Sequence, residues 1–165
     1  MVPEARALYF VRPGAVELRR EPLVPQPGQV RVRSRLMGIS HGTELLAFRG
    51  QLPAGLEADP FLKSLSGGLD YPLKYGYSNC GVVEGAGRRV FAFYPHQDLF
   101  DADAAELVSL PPGVSDEQAV FLPNLETALG IVHDAGPRLG ECVLVAGLGV
   151  VGLLVSALLL RAGAG

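Results

Sequence analysis

Three glycines, Gly147, Gly149 and Gly152, stand in the spacing G-x-G-x-x-G. The chemistry such a spacing serves is phosphate recognition. The first glycine permits a tight turn out of a strand, the second lets the backbone approach a pyrophosphate, and the third lets a helix pack close to that strand. Leu148, Val150 and Val151, interleaved with them, contribute backbone N–H groups, and the helix N-terminus beyond offers unpaired donors to an anion. A glycine-rich turn in any α/β unit can share the pattern, so its flanks decide. CVLVA over 142–146 reads as a short apolar strand and LLVSALLL over 153–160 as a helix, which is the required context. A dinucleotide site also holds the adenosine ribose with an acidic residue about twenty positions further on. No acidic residue follows Gly152. The residues present are therefore expected to build only the pyrophosphate side and to bind a dinucleotide weakly or not at all.

The elements that must position this motif change character along the chain. Up to about residue 100, glycine and proline punctuate short runs at Ala7–Val11, Ala15–Arg19, Val30–Leu36, Gly81–Glu84 and Val90–Phe93, the texture of a small all-β barrel. In VRVRSRL, Val30, Val32, Ser34 and Leu36 fall on one face and Arg31, Arg33 and Arg35 on the other. That basic stripe reads as a solvated strand face in preference to an anion site. Residues 51–72 read as a long loop with a helical turn around Pro60–Leu65. After Gly113 the period becomes helical. Ser115 and Gln118 form a capping box, and Ala119, Phe121, Leu122, Leu125, Ala128, Leu129 and Val132 recur at helical spacing, with a kink or break expected at Pro123.

Composition removes several function classes. The 165 residues are 48% hydrophobic and 19% charged, an ordinary globular balance, and the net charge of -3 supplies no positive field for nucleic acid or an anionic membrane. Cys80 and Cys142 lack C-x-x-C spacing and sit among apolar or glycine neighbours, so they read as small buried hydrophobes in a reducing cytosol. The N-terminus has no apolar signal segment, and a cytoplasmic location is expected. Residues 142–160 carry no charge, but their glycines and β-branched first half favour strand, turn and helix over a membrane span.

Blocks in order along the chain carry a wider resemblance: MGISHGTE (37–44), YPLKYGYSNCGVVEGAG (71–87), RRVFAF (88–93), LPPGVSDEQAVFLPNLETAL (110–129) and GECVLVAGLGVVGLL (140–154). Together they resemble the medium-chain, zinc-alcohol-dehydrogenase-like dehydrogenase/reductase superfamily. GISHGTE, YGYSN and NLETAL further resemble its bacteriochlorophyllide-dehydrogenase-like branch. The resemblance implies a mainly β, GroES-like barrel with α elements over 1–114, a connecting helix over 115–138, and an incomplete Rossmann β-α unit over 139–165. It implies NAD or NADP as cofactor and an oxidoreductase whose small-molecule substrate the residues do not identify.

The same resemblance maps the zinc ligands of the family onto Ser40 or His41, and onto Tyr77 and Ser78 in Gly76-Tyr77-Ser78. Glu126 is the one nearby candidate for a further ligand. Neutral hydroxyls give little charge to a divalent cation, so no zinc is expected. Proton delivery then falls to Ser40, His41 and Tyr77, which occupy positions that line the family's catalytic cleft, and Thr127 matches a threonine near the nicotinamide. A packed, non-catalytic lining is the competing reading. His96 and His133 match no role and are expected at the surface or at helix ends.

Two further expectations follow. The chain is a zinc-less oxidoreductase, incomplete and weakly active or inactive, or else a non-catalytic fragment that binds partners or itself. Because strand 142–146 lacks neighbours on both edges, a homodimer or higher oligomer through residues 140–162 is expected.

Overall fold

A computed structural model describes residues 2–53 and 69–164. The helical turn expected at Pro60–Leu65 lies outside the described residues. The chain divides into two units, Met1–Val120 and Phe121–Gly165, with the boundary inside the expected connecting segment.

The first unit is built from antiparallel strands. β1 (Glu4–Arg12), β2 (Ala15–Pro22) and β4 (Leu73–Lys74) form a three-stranded sheet in the order β2-β1-β4. β3 (Gln29–Met37), β5 (Asn79–Val83), β6 (Arg89–Ala92), β7 (Leu99–Asp103) and β8 (Val108–Ser109) form a second in the order β7-β3-β5-β6-β8. Each of the five runs expected up to residue 100 overlaps a strand, with Glu84 and Phe93 falling just past the ends of β5 and β6. The alternation in β3 puts Val32 in the core beside Val83, Val90 and Phe100. Phe91 and Phe100 are fully buried, and each such side chain contributes about 1.5–3 kcal/mol on leaving water. Tyr94 stacks on Phe100 with ring centroids 4.0 Å apart.

The arginine stripe of β3 is solvated at Arg33 and Arg35, as expected, and largely covered only at Arg31, and all three guanidinium groups are ion-paired. Arg31 makes a two-pronged pair with Asp101, both contacts 2.8 Å, from directly opposite positions of β3 and β7. Arg33 pairs with Glu84 at 2.6 Å and Arg35 with Asp116 at 2.9 Å. The sequence does not announce β7, because Asp101 and Asp103 interrupt its apolar pattern. The ion pair to Arg31 is what makes a strand aspartate tolerable there.

Helix α1 (Thr43–Arg49) follows a turn at Gly42 and ends on Gly50 in the left-handed conformation. Helix α2 (Asp116–Ala119) carries the expected capping box, with Ser115 Oγ accepting from the Gln118 N–H and the Gln118 side chain accepting from Ser115 N–H. The break expected at Pro123 is present. α2 ends at Ala119, and α3 (Leu122–Ala135) starts afresh with proline in its first turn, where no N–H is needed.

The second unit pairs α3 with α4 (Val150–Arg161) through Ala128, Val132, Val155 and Leu159. The expected strand 142–146 is not formed. The segment has no ladder partner among the described residues, and an extended segment becomes a strand only when its N–H and C=O groups are paired with a neighbour. Cys142, expected to be buried, is exposed for the same reason, while Cys80 is buried within β5. No described helix is long and apolar enough to cross a membrane.

Candidate functional site

In the first unit one of the residues flagged by sequence, Ser40, is tied to a buried carboxylate that its own spacing does not flag. Glu44, in the first turn of α1, is 2% exposed. Its Oε2 accepts the Ser40 backbone N–H at 2.5 Å, and its Oε1 meets His96 Nε2 in a short hydrogen bond. His96 is buried, contrary to the surface position expected for it. Main-chain bonds fix its segment: Leu8 N–H donates to the His96 carbonyl at 2.8 Å, His96 N–H donates to the Tyr75 carbonyl, and Ala7 bridges to Gln97. Gly76, at φ +137°, makes room for the ring, since a β-carbon there would come within 2.7 Å of His96 Cδ2. His96 Nδ1 is buried and has no hydrogen-bond partner among the described residues.

Ser40 is half-buried at the entrance to this turn, its Oγ accepting the Gly42 N–H at 3.1 Å. His41 is exposed. Tyr77 is half-buried and lies edge-on to Tyr75, with centroids 6.3 Å apart. The Tyr75 phenol is pushed above its ordinary range by burial first, then by Tyr77 and by the negative charge of Glu44. Ser78 is buried and donates its hydroxyl to the Val120 carbonyl at 2.6 Å. Asn79 beside it is buried, with both side-chain polar atoms unpaired among the described residues. Fifty-two residues separate Glu44 from His96, so no local spacing announces the pair.

These donors do not fit a catalytic zinc. Ser78 Oγ is committed to Val120, Ser40 Oγ to Gly42, and His41 faces solvent. Among the described residues no three His, Cys, Asp or Glu side chains converge to hold a metal.

In the second unit, Gly147 adopts φ +98°, which only glycine takes without strain. Gly152 lies directly against the Gly147 carbonyl, so the turn closes tightly onto the start of α4. A β-carbon at Gly149 would meet nothing within 4 Å, leaving open space for a group approaching the backbone. Gly149 caps α4 without any side-chain hydrogen bond, and Leu148 and Val150 are exposed beside it while Val151 is half-buried. This is a backbone cradle of the kind that accepts phosphate. Thr127, on α3, is exposed and donates its hydroxyl back to the Pro123 carbonyl at 2.9 Å. Glu126 and His133 are also exposed on α3.

No family profile and no curated protein sequence matches the chain. Solved structures do. A quinone oxidoreductase from Thermus thermophilus, solved also with NADPH, is 27% identical at a TM-score of 0.73, over 96% of this chain and 51% of that one. A 2R,3R-butanediol dehydrogenase from Bacillus subtilis is 22% identical at 0.76, over 97% and 56%. A short chain alcohol dehydrogenase from E. coli CFT073, complexed with NADH, is 20% identical at 0.75, over 94% and 53%. The fold is thus the mainly β, GroES-like N-terminal arrangement of alcohol dehydrogenases and quinone oxidoreductases, and the chain spans about half the length of the structures it matches.

Proposed function

We propose that this chain carries the barrel and the pyrophosphate-binding turn of a zinc-less, NAD(P)-dependent oxidoreductase, and that residues 1–165 by themselves are weakly active or inactive. The observation that carries the reading is the turn from Gly147 to Gly152, closed on itself by glycine-only contacts and opening an uncapped twelve-residue helix. Bound there, a nicotinamide dinucleotide would supply hydride transfer. The backbone N–H groups of Leu148 to Gly152 would orient its phosphates. Ser40, His41 and Tyr77 are the hydroxyl and imidazole groups that would hold a substrate oxygen and deliver a proton to it, and Thr127 would line the nicotinamide side. The bacteriochlorophyllide-dehydrogenase-like branch is supported by GISHGTE, YGYSN and NLETAL alone.

The test is a nucleotide titration followed through backbone amides. Weak, saturable shifts at Leu148 to Gly152 in the millimolar range with NAD(H) or NADP(H) are expected. The absence of any shift in that segment at saturating nucleotide would overturn the proposal.

A second reading is favoured by one observation. Leu139, Leu144 and Leu160 are 86%, 93% and 70% exposed, beside the unpaired segment 142–146. Exposed apolar side chains on a segment whose backbone has no ladder partner among the described residues invite self-association through residues 140–162, which would make the chain a non-catalytic, self-associating module. Light scattering that reports a 17.4 kDa monomer at all concentrations would exclude it.

A further inference from the structure

The sheet β2-β1-β4 ends on β2, an eight-residue strand that pairs only with β1 among the described residues. The register identifies the backbone groups left over. Leu8 N–H donates to the His96 carbonyl and the Arg6 carbonyl accepts from Asp98 N–H, so at both positions β1 turns its main-chain polar groups away from β2. Residues directly opposite in an antiparallel pair either bond to each other or both face outward. Leu18 lies opposite Leu8 and Arg20 opposite Arg6, so the N–H and C=O groups of Leu18 and Arg20, and of Val16 by alternation, line the free edge.

Val16 and Leu18 carry apolar side chains on one face of this strand, 45% and 70% exposed. A bare edge with apolar side chains is a template for another strand, and charges commonly guard it. Here the charges suit a second copy of β2. Laid antiparallel with Leu18 on a two-fold axis, Leu18 bonds to Leu18 of the second copy and Val16 bonds to Arg20, all through the free N–H and C=O groups. Glu17 then stands opposite Arg19, twice by symmetry, at the non-bonded positions where side chains come closest. Within one chain Arg19 already reaches Glu17 at 3.0 Å, so the four groups form one alternating cluster. Ala15 faces Glu21, and no like charges meet. An axis on Glu17, Arg19 or Arg20 would set that residue against its own copy, like charge on like, and an axis on Val16 would pair only Ala15 to Glu17.

We propose that β2 is a homodimerisation edge: two copies of the chain join antiparallel through β2, with Leu18 on the two-fold axis, into one continuous sheet β4-β1-β2-β2-β1-β4. Main-chain hydrogen bonds supply the attraction, and the pairs between Glu17 and Arg19 fix the register. No residue of the 140–162 segment takes part, so the interface is distinct from self-association there, and it stands whether or not the chain binds a dinucleotide.

The test uses the full chain carrying Leu144→Arg, Leu160→Arg and Cys142→Ser, changes at exposed positions that disarm the other apolar segment and leave buried Cys80 as the remaining native thiol. Sedimentation equilibrium is expected to show a reversible dimer with a dissociation constant on the order of 100 µM, the weak end for a small interface. Glu17→Arg should weaken it about tenfold, because two attractive pairs become repulsive, and Glu17→Arg combined with Arg19→Glu should restore it. Leu18→Cys should close an interchain disulfide under mild oxidation, since opposed bonded residues have Cα atoms about 5.5 Å apart. Arg20→Cys, roughly 14 Å from its copy in this register, should not. A monomer up to about 1 mM, a dimer indifferent to Glu17→Arg, a folded charge swap that fails to restore it, or crosslinking through Arg20→Cys in preference to Leu18→Cys would each overturn the proposal. If Glu17→Arg does not fold, sedimentation and the two cysteine variants decide alone.

Discussion

A β-carbon placed on Gly152 would collide with the carbonyl oxygen of Gly147. No flexible side chain can yield there, because the obstruction is backbone. Gly152→Ala must therefore push the start of α4 away from the turn, and a loss of about 1–3 kcal/mol is expected from a forced backbone shift of this kind. Amide exchange at Val155 and Leu159, buried between α3 and α4, should accelerate in the variant. Unchanged protection would mean that the turn is looser than its contacts imply.

The acid limb of stability should depend on Asp98. Burial pushes its carboxyl up, but the Arg6 backbone N–H and guanidinium outweigh that and hold it below the ordinary carboxylate value. A carboxylate lowered in the folded state adds stability that is complete above its unfolded value, near about 3.9, and is lost as pH falls through the lowered one. Both partners are partly exposed, so solvent screening keeps the effect below about 1 kcal/mol. Asp98→Asn should lower Tm at pH 6 and lose less than the wild type between pH 4 and pH 2 (about the window of that titration). Parallel acid limbs would refute the assignment.

The two thiols should separate kinetically. Burial first, and then the charge of Asp116, raises the Cys80 thiol to about 11, whereas Cys142 is exposed. The thiolate is the reactive form. A disulfide reagent at neutral pH is expected to modify Cys142 promptly and Cys80 only on unfolding, and Cys142→Ser should remove the fast phase. Two equally fast thiols in the native chain would contradict the burial of β5.

Purified protein should hold no stoichiometric zinc, because the positions that would bind it are Ser40 or His41, Tyr77 and Ser78, and the Ser78 hydroxyl is already spent on Val120. Elemental analysis finding about one tightly bound zinc per chain would overturn this.

What can be read from the sequence is whatever is encoded locally. The alternation of β3, the Ser115–Gln118 box and the break at Pro123 are each decided by residues a few positions apart, and each is where its spacing puts it. The glycine turn is legible for the same reason. β7 is hidden because Asp101 becomes a tolerable strand residue only beside Arg31, seventy positions away. The strand expected at Cys142–Ala146 fails in the opposite sense: its residues favour extension, but a strand also requires a neighbour. The Glu44–His96 pair is invisible, since a buried histidine and an exposed one look alike until the chain brings a carboxylate to it.

The division at Val120 also governs how unfolding can be watched. The chain has no tryptophan, and its five tyrosines, Tyr9, Tyr71, Tyr75, Tyr77 and Tyr94, all belong to the first unit. Intrinsic tyrosine emission and near-ultraviolet dichroism therefore report chiefly on the two sheets. Melting of the α3–α4 pair that carries the glycine turn would pass optically almost unnoticed, apart from lost helical signal in the far ultraviolet. A single smooth tyrosine transition would describe one unit, and agreement with the far-ultraviolet curve is what would establish that both units unfold together.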